Sequence, residues 1–328
     1  MTDRRMIRTW AEVDLDALEH NYRLLRGMAP KAKFLGLVKA NAYGHGAVGI
    51  GKKLEELGAD MLAVACLDEA IELRKEGITL PILCLGQTPP QLAGELLEYD
   101  VTQAVGDLET GEALSAAAVK AGKTLKIHIK VDTGMGRLGF LWLKEDSTPS
   151  DDEEDWDFYQ TGIYELCGLP NLHVEGMFTH FANADGDEAY TMAQLHRFLD
   201  LRDRMEEWKV CPEICHCAAS AAVLNYPQTH LDMIRPGILL YGCMPDPSME
   251  NPGLIPVMRV KSRVALVRDL PAGAKISYGC TATLERDSRI AVLPMGYGDG
   301  LHRALSNQLE VLIGDRLYPV LGRICMDM

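Results

Sequence analysis

The chain has 328 residues, which is enough for one large barrel or for two domains with a buried core. Hydrophobic residues make up 47% of it and aromatic residues 6%, as is ordinary for a soluble α/β enzyme. The formal net charge of −14 argues against nucleic acid and anionic membrane surfaces as partners, because both are bound through clustered Lys and Arg.

Targeting signals and metal-binding patterns are not found in the sequence. No basic-apolar-small leader opens the chain, and no apolar stretch approaches the length of a membrane span. Nine cysteines are scattered through apolar segments, and the close pair Cys215 and Cys217 lacks the second pair that a zinc site needs. We therefore expect buried reduced thiols, no metal and a cytoplasmic location.

Up to about residue 243, short apolar runs alternate with helical patterns. The runs suit strands covered on both faces and lie at 34–38, 61–65, 82–85, 101–105, 125–131, 172–178, 213–217 and 231–234. Helical patterns lie between them, for example at 68–76 and at 107–121, where Asp107 suits a cap. Residues 1–243 are thus predicted to form a (β/α)8 barrel of the TIM type, with its chemistry at the carboxyl ends of the strands.

Two features of this half leave alternatives open. An open doubly wound sheet is the structural alternative, but no G-x-G-x-x-G motif follows the first strand. The acidic run at 146–157 resembles a binding tail, but its position before an amphipathic stretch favours a solvated loop and the start of a helix.

From residue 244 onward the pattern changes to a period of two. One face of the first run carries Met258, Val260, Ser262, Val264 and Leu266. Further strands are predicted after the turn at 271–273, around 290–293 and on both sides of 314–315. Residues 244–328 are therefore expected to form an antiparallel β domain.

Lys39 directly follows the first predicted barrel strand and opens the octapeptide KANAYGHG at 39–46. Its ammonium would emerge from the carboxyl end of a buried strand into a partly dry site. Burial lowers the pKa of a lysine, and a neutral amine attacks an aldehyde to form a Schiff base. A solvated lysine at a strand end is the alternative.

The octapeptide and further motifs in the same order resemble the alanine racemases. These motifs are TWAEVD at 9–14, KVDTGMGRLG at 130–139, THFA at 179–182, HCAASA at 216–221, MIRPGI at 233–238, ISYG at 276–279, GYGDG at 296–300 and GRICMD at 322–327. The resemblance covers nearly the whole chain. It implies that Lys39 carries pyridoxal 5′-phosphate covalently.

The resemblance also implies roles around the cofactor ring. Arg137 would lie beside the phenolic oxygen and the substrate carboxylate, and Lys130 would pair with it, often as a carbamate. His180 would lie against the pyridine ring, in a hydrogen bond to Arg235, which would donate to the ring nitrogen and weaken the ring as an electron sink. A structural ion pair is the alternative for Arg137, and a satisfied core histidine is the alternative for His180.

The phosphate of the cofactor needs backbone donors and hydroxyl groups. By resemblance these come from Tyr43, Ser220, Gly237 and Ile238. The family usually has an asparagine where this sequence has Ala219. We expect a weaker grip on the cofactor, since one neutral hydrogen bond contributes only about 0.5–1.5 kcal/mol.

The β domain carries the second half of the implied site. Racemisation needs a base on each face of a planar intermediate, and Tyr278 would be the base opposite Lys39. Met326 would hold the substrate carboxylate through its backbone N–H. The residues implied at the entrance are Tyr297, Arg323 and Asp327. The family supplies this tyrosine to the partner subunit, which implies an obligate homodimer with shared sites; a core tyrosine is the alternative for Tyr278.

We therefore interpret the chain, from this resemblance, as a pyridoxal-phosphate-dependent alanine racemase that supplies D-alanine for peptidoglycan by a two-base mechanism. A serine or broad-specificity racemase is the close alternative. A non-catalytic carrier of pyridoxal phosphate is the alternative from another class, although such proteins lack the β domain and Tyr278. Racemases normally continue beyond the segment that ends here at Met328, so we expect the β domain to be incomplete.

Overall fold

The computed structural model describes residues 8–143 and 153–328, with the side chains of residues 153–160 outside the description. The chain divides into two compact units, which we call the barrel unit, Asp14–Val257, and the β unit, Met1–Val13 with Met258–Met328. The first strand, β1 (Thr9–Val13), pairs antiparallel with residues 258–262. The beginning of the chain therefore joins the unit that contains its end.

The barrel unit is built on eight parallel strands and one short additional strand. They are β2 (Lys33–Leu37), β3 (Met61–Val64), β4 (Ile82–Cys84), β5 (Val101–Val105), β6 (Leu125–Asp132), β7 (Phe140–Leu141), β8 (Leu172–Phe178), β9 (Ile214–His216) and β10 (Met233–Ile234). Hydrogen-bonded neighbours follow the order β10-β2-β3-β4-β5-β6-β8-β9, and β7 pairs with the end of β6.

The two ends of this sheet meet between β9 and β10. The N–H of Asp232 donates to the carbonyl of Cys215 at 3.2 Å, and the N–H of Arg235 donates to the carbonyl of Ala218 at 2.9 Å. A parallel bridge joins Ala219 to Arg235. The predicted (β/α)8 barrel is therefore confirmed, and each of the eight apolar runs overlaps one of its strands.

Helices fill the connections between the strands. They are α1 (Leu15–Met28), α2 (Lys39–Tyr43), α3 (Ala47–Leu57), α4 (Leu67–Lys75), α5 (Ala93–Glu98), α6 (Leu108–Ala121), α7 (Glu153–Gly168), α8 (Glu188–Glu207) and α9 (Ser220–Asn225). The expected cap of α6 is present, because Asp107 accepts the N–H of Thr110 at 2.7 Å. Asp14 caps α1 in the same way. Most of the acidic run at 146–157 lies outside the described residues, and α7 begins within it at Glu153.

Alternate positions of the strands supply a buried apolar cluster. Its members are no more than 5% exposed and comprise Leu35, Leu37, Met61, Ala63, Leu83, Ile214 and Met233. Full burial of one such leucine or isoleucine contributes about 1.5–3 kcal/mol. The buried positions of β6 and β8 differ, since they include His128, Lys130 and Glu175. The barrel strands therefore bury both an apolar cluster and a set of polar side chains.

The β unit consists of antiparallel strand pairs, as the sequence predicts. The strands that follow the barrel are β11 (Met258–Ser262), β12 (Leu266–Leu270), β13 (Lys275–Ile276), β14 (Ala282–Thr283), β15 (Ser288–Val292), β16 (Glu310–Ile313) and β17 (Arg316–Pro319). They pair as β1 with β11, β12 with β15, β13 with β14 and β16 with β17. The predicted hairpin around residues 314–315 joins the last pair.

Two boundaries differ from those expected from the sequence. The run 258–266 is two strands, because β11 pairs with β1 whereas β12 pairs with β15. The barrel unit extends to Val257 and does not stop at residue 243. Asn21 of α1 holds this extension: its side-chain amide donates to the carbonyl of Ile255 at 2.8 Å, and its oxygen accepts the N–H of Ile255 at 2.8 Å.

No helix within residues 8–143 and 153–328 is long and apolar enough to cross a membrane. In the described part of the chain, no group of three or more His, Cys, Asp or Glu residues could hold a metal ion.

Candidate active site

A cavity of about 600 Å³ opens at the carboxyl ends of the barrel strands. All nine residues that the sequence predicts for the barrel half of the site line it: Lys39, Tyr43, Lys130, Arg137, His180, Ser220, Arg235, Gly237 and Ile238. They come from segments that follow or end β2, β6, β8, β9 and β10. The topology therefore brings together residues that are up to about 200 positions apart in the sequence.

Lys39 lies two residues beyond the end of β2 and is half-buried in this cavity. Burial lowers the pKa of its ammonium, and the positive charge of Arg137 lowers it further. The carboxylate of Glu69 acts in the opposite direction, but the net pKa shift is downward. Lys39 is thus a better nucleophile near neutral pH than a solvated lysine.

The turn after Lys39 is left-handed over four residues without a glycine. Residues 40–43 have φ values between 51° and 55°, a conformation that costs roughly 1–2 kcal/mol per residue. Two side chains hold the turn: Glu69 accepts the N–H of Ala40 at 2.6 Å, and the side-chain oxygen of Asn41 accepts the N–H of Ala47 at 2.8 Å. The turn directs the chain away from β2 and places both Lys39 and Tyr43 at the cavity.

One end of the cavity is rich in hydroxyl groups and backbone donors. The Oγ of Ser220 accepts the N–H of Gly237 at 3.0 Å, so its own hydrogen is free to bond elsewhere. A Cβ at Gly237 would lie 2.5 Å from the phenolic oxygen of Tyr43, so only glycine permits this close approach. Ala219 precedes α9 and gives it no side-chain cap.

Arg235 lies directly beyond β10 and is 4% exposed. Its Nη1 donates to the Nδ1 of His216 at 3.0 Å, and its Nη2 donates to the carbonyls of Thr179 and Cys217 at 2.8 and 3.1 Å. Burial lowers the pKa of Arg235 to about 10, so the guanidinium remains charged at neutral pH. Among the described residues, no hydrogen bond uses its Nε–H, so this donor is free for a ligand in the cavity.

His180 lies beside this guanidinium, with 3.4 Å between its Nδ1 and the Nη2 of Arg235. Burial and the positive charges of Arg235 and Lys130 lower the pKa of the imidazole to about 3. The ring is therefore neutral throughout the physiological pH range. A neutral imidazole can pack against an aromatic ligand without repelling the arginine.

Lys130 is the least satisfied buried group in the cavity. Its Nζ has no hydrogen-bond partner in the described part of the chain and lies 4.7 Å above the ring of Phe178. Burial, followed by the charges of Arg235 and Arg137, lowers the pKa of Lys130 to about 7. A buried amine between two arginines is an unfavourable arrangement unless a further group supplies negative charge.

The loop that carries Arg137 is fixed by Asp132 at the end of β6. One carboxylate oxygen accepts the N–H groups of residues 134–136 at 2.8–3.1 Å, and the other accepts the N–H of Arg137 at 2.9 Å. Burial opposes ionisation of Asp132, but these four hydrogen bonds outweigh it and lower the pKa of its carboxyl. Asp132 therefore anchors the backbone of Arg137 at the cavity.

The β unit gathers the other predicted site residues. Ser277 donates to the carbonyl of Arg323 at 2.6 Å, and the N–H of Tyr297 donates to the carbonyl of Cys325 at 2.9 Å. The phenol of Tyr278 is 71% exposed, and Met326 is 62% exposed. The residues brought together here are Tyr278, Tyr297, Arg323, Met326 and Asp327, with the N–H of Gly298 donating to the carbonyl of Met326 at 2.7 Å.

Sequence reasoning missed the residues that position the ligand-facing side chains. Asp132 carries a usable signal, since an aspartate before a glycine-rich segment commonly accepts backbone N–H groups. Glu69 gives no such signal, because its contact with Ala40 joins residues 29 positions apart. His216 carries a signal only as part of a motif, and the sequence gives no signal for its partners His128 and Glu175.

The donor set of the cavity fits pyridoxal 5′-phosphate. A half-buried amine of lowered pKa suits the aldehyde, and the hydroxyl groups of Ser220 and Tyr43 suit a phosphate. The spare donor of Arg235 suits a ring nitrogen, and the neutral His180 suits the ring itself. No step of this assignment needs a residue that the structure places elsewhere.

Comparison with known proteins identifies matches to both units. Residues 13–245 match the alanine racemase N-terminal domain family, and residues 257–328 match the alanine racemase C-terminal domain family. An alanine racemase of Desulforamulus reducens is 44% identical over 322 residues, which are 97% of this chain and 84% of that protein. One from Methanococcus maripaludis is 45% identical and is matched over 97% of this chain and 83% of its own length.

Solved structures give the same result. Alanine racemase of Clostridium difficile 630 matches with a TM-score of 0.89 and 37% identity, covering 98% of this chain and 82% of that one. Alanine racemase from Bacillus anthracis with bound L-Ala-P matches with a TM-score of 0.85 and 35% identity, covering 98% and 80%. Because two family models together cover most of the chain and relatives are up to 45% identical to it, the chain belongs to the alanine racemase family, whose enzymes depend on pyridoxal 5′-phosphate.

Proposed function

We propose that this chain catalyses the interconversion of L- and D-alanine with pyridoxal 5′-phosphate as cofactor. The observation that carries the proposal is the placement of Lys39: a lysine of lowered pKa shares one cavity with the spare donor of Arg235 and the hydroxyls of Ser220 and Tyr43. Family membership supports the same reaction. When bound, the cofactor withdraws electrons from the substrate and acidifies its Cα hydrogen.

Lys39 has two tasks in this proposal. It holds the cofactor covalently, and once the substrate amine has displaced it, the free amine moves a proton at the substrate Cα on one face. A general base must reach its proton within hydrogen-bond distance, and the left-handed turn fixes the backbone from which Lys39 extends.

Tyr278 serves the opposite face, from the partner subunit of a homodimer. Its phenol is 71% exposed within its own chain, so it is accessible to a second copy. Met326 and Arg137 bind the substrate carboxylate, through a backbone N–H and a guanidinium. The group of residues at the entrance comprises Tyr297, Arg323 and Asp327. A phenol and an amine on opposite faces provide the two bases that racemisation requires.

The remaining cavity residues orient the cofactor. Ser220, Tyr43 and the backbone N–H groups of Gly237 and Ile238 bind its phosphate. Arg235 would hold the ring nitrogen through its spare N–H, and that nitrogen would stay unprotonated because an arginine cannot transfer its proton. A ring held in this way would be a weaker electron sink.

Lys130 is proposed to be carbamylated. Its neutral amine adds to carbon dioxide and releases one proton, which leaves a negatively charged carbamate that can pair with Arg137 and Arg235. The lowered pKa of about 7 makes the neutral amine abundant near pH 7. The product would remove the repulsion between Lys130 and the two arginines.

The physiological setting follows from the reaction. We place the enzyme in the cytoplasm, where D-alanine is needed for peptidoglycan precursors. Serine racemisation or broader specificity stays the alternative within the same chemistry. A non-catalytic carrier of pyridoxal phosphate is disfavoured because the chain includes the β unit with Tyr278.

The experiment is an assay of the purified, cofactor-loaded protein with each enantiomer of alanine and serine, using the Lys39→Ala variant as control. Borohydride reduction followed by peptide mapping should recover the cofactor on Lys39. Recovery on another lysine, or a Lys39→Ala variant as active as the wild type, would contradict the proposal. Conversion of serine at a rate equal to that of alanine would favour the broad-specificity alternative.

A further inference from the structure

A continuous chain of buried hydrogen bonds leads from Arg235 to the other side of the barrel interior. The Nη1 of Arg235 lies 3.0 Å from the Nδ1 of His216, and the Nε2 of His216 lies 2.8 Å from the Nδ1 of His128. The Nε2 of His128 lies 3.3 Å from a carboxylate oxygen of Glu175. Both histidines are fully buried. None of the three residues beyond Arg235 lines the cavity.

The chemistry of the two ends sets the direction of every bond. A guanidinium only donates hydrogen bonds, so the Nδ1 of His216 accepts and its proton is on Nε2. That proton is donated to the Nδ1 of His128, whose own proton is therefore on Nε2 and is donated to Glu175. A doubly protonated His128 would oppose the N–H of His216, so both rings must be neutral.

Charge and burial agree with this assignment. Burial lowers the pKa of both His128 and His216, which favours neutral rings. Burial opposes ionisation of Glu175, but hydrogen bonds from His128 and Lys126 outweigh it and lower the pKa of its carboxyl to about 2. The hydrogen-bond chain therefore connects a buried cation, Arg235, to a buried anion, Glu175.

The backbone is built to accommodate these side chains. The register of β6 against β8 shifts between Ile127 and His128, which leaves Glu175 as an extra residue in a β-bulge. A Cβ at Gly176 would lie 2.7 Å from the ring of His128, so the glycine makes room for the imidazole. Phe178 stacks on His216 with a centroid distance of 5.0 Å and an angle of 6° between the rings.

Other residues also hold Glu175, which is the far end of the hydrogen-bond chain. Lys126 pairs with the second oxygen of Glu175 at 3.1 Å, and Thr102 donates to the first at 3.3 Å. Lys126 is near the beginning of β6, whereas Arg235 is beyond the end of β10. The network thus crosses from the amino-terminal side of the barrel to the catalytic side.

We propose that Glu175, His128 and His216 are positioning residues that hold the guanidinium of Arg235 in one orientation and balance its charge through a one-directional hydrogen-bond chain. Arg235 cannot rotate about its long side chain without losing its bond to His216. The donor that it presents to the cofactor ring is then fixed before the cofactor binds. This inference rests on the proposed function only in what Arg235 contacts, because the chain itself lies within the protein.

The first test needs no activity. Solid-state ¹⁵N NMR of the apoprotein with labelled histidine rings, assigned with His128→Asn and His216→Asn variants, should show both rings neutral with the proton on Nε2. A proton on Nδ1 of either ring, or a doubly protonated ring at neutral pH, would overturn the proposal. This test stands even if the chain proves to have no racemase activity.

The second test compares Glu175→Gln with Glu175→Leu in the cofactor-loaded enzyme. Glutamine can still accept the N–H of His128, whereas leucine cannot, so kcat should fall by about tenfold for leucine, the effect of one lost hydrogen bond, with largely unchanged KM. Glutamine should restore most of the loss. The visible band of the cofactor should shift for leucine, because it reports the hydrogen bond to the ring.

A matched control is Glu213→Gln, which removes the charge that faces His173 at 3.2 Å on the surface. It should leave kcat and the cofactor band unchanged. A folded Glu175→Leu enzyme with the wild-type kcat and band would overturn the positioning role. Equal losses for glutamine and leucine would overturn the role of Glu175 as a hydrogen-bond acceptor for His128, because loss of its negative charge alone would then account for the effect.

Discussion

The carboxylate of Glu69 accepts the backbone N–H of Ala40 at 2.6 Å and so holds the first residue of the left-handed turn after Lys39. Its other oxygen accepts the N–H of Ala65 at 2.8 Å, which ties the turn to the segment after β3. The same negative charge raises the pKa of Lys39 against the effects of burial and Arg137. One side chain thus supports the backbone of the lysine and moderates its charge.

Replacing Glu69 by Ala should destabilise the apoprotein by about 1.5–3 kcal/mol, the range for a lost charged hydrogen bond. The pKa of Lys39 should fall further, because the carboxylate of Glu69 that raises it is lost. Urea denaturation measures the first effect, and the pH dependence of cofactor trapping on Lys39 measures the second.

The control for this prediction is Glu72→Ala, which removes an exposed glutamate from the same helix, α4. It should change the free energy of unfolding by less than about 0.5 kcal/mol. Equal destabilisation by both substitutions would mean that the contact of Glu69 with Ala40 does not support the turn.

The lowered pKa of Lys130 predicts that the free energy of unfolding depends on pH. Burial lowers its pKa from the ordinary 10.5 to about 7, so between these values the unfolded chain binds more protons than the folded protein. The free energy of unfolding should then rise with pH, by at most about 1.4 kcal/mol per pH unit from this group. Lys130→Met should lose this rise, measured by urea denaturation of apoprotein between pH 7 and 10 in bicarbonate-free buffer.

The exposed Lys120 of α6 provides the control, since Lys120→Met should keep the wild-type dependence. Adding ¹³C-bicarbonate to the wild type should give a carbamate resonance that Lys130→Met lacks. Identical pH dependence in the wild type and Lys130→Met would show that the buried amine is not titrating as described.

Much of the barrel is predictable because its strands are covered on both faces. Such strands are continuous apolar runs, and β5 and β8 have the predicted bounds of 101–105 and 172–178. The pairing of β1 with β11 is not predictable in this way, since it joins residues about 250 positions apart and depends on the completed fold. The unit boundary after Val257 follows from that pairing.

The candidate site, like the fold, has a part that can be predicted from the sequence and a part that cannot. Residues that face the ligand occur in contiguous motifs, so Lys39 and Arg235 can be identified from the sequence. The left-handed turn gives no signal, because residues 40–43 include none of the glycines that normally adopt positive φ. Glu175 acts through two histidines from other strands, and such a chain is visible only in three dimensions.

Ala219 offers a gain-of-affinity prediction. It precedes α9 without a side-chain cap and lines the cavity beside Ser220. Ala219→Asn should restore an amide donor to the phosphate and lower the Kd for pyridoxal 5′-phosphate by roughly 2- to 10-fold, the effect of one hydrogen bond. Fluorescence titration of the apoprotein measures this. An unchanged Kd would show that the other donors already satisfy the phosphate. The Tm of the apoprotein reports whether the new side chain caps α9, and so separates an effect on stability from an effect on cofactor binding.

Shared active sites predict complementation between inactive variants. If Tyr278 of one subunit serves the cavity that contains Lys39 of the other, a mixed dimer of Lys39→Ala and Tyr278→Phe protomers has one intact site. Subunit exchange should therefore restore activity, up to about a quarter of the wild type for random mixing, since half of the dimers are mixed and each has one of two sites. Exchange demonstrated by mass spectrometry without recovered activity would mean that each chain completes its own site.

The two bases should be separable by the enantiomer that each deprotonates. The resemblance to the alanine racemases implies that Lys39 deprotonates D-alanine and that Tyr278 deprotonates L-alanine. Replacing Tyr278 by Phe removes one base and leaves the other, so exchange of the Cα hydrogen with solvent should be lost for L-alanine far more than for D-alanine.

Racemisation itself cannot report this difference, because the equilibrium constant fixes the ratio of the two directions and both must fall together. The measurement is instead deuterium incorporation at Cα in deuterated water, followed separately for each enantiomer by NMR. Tyr297→Phe is the matched control: it removes a phenol that the proposal places at the entrance and should affect both enantiomers alike. Equal residual exchange for both enantiomers in Tyr278→Phe would rule out Tyr278 as the base for one face.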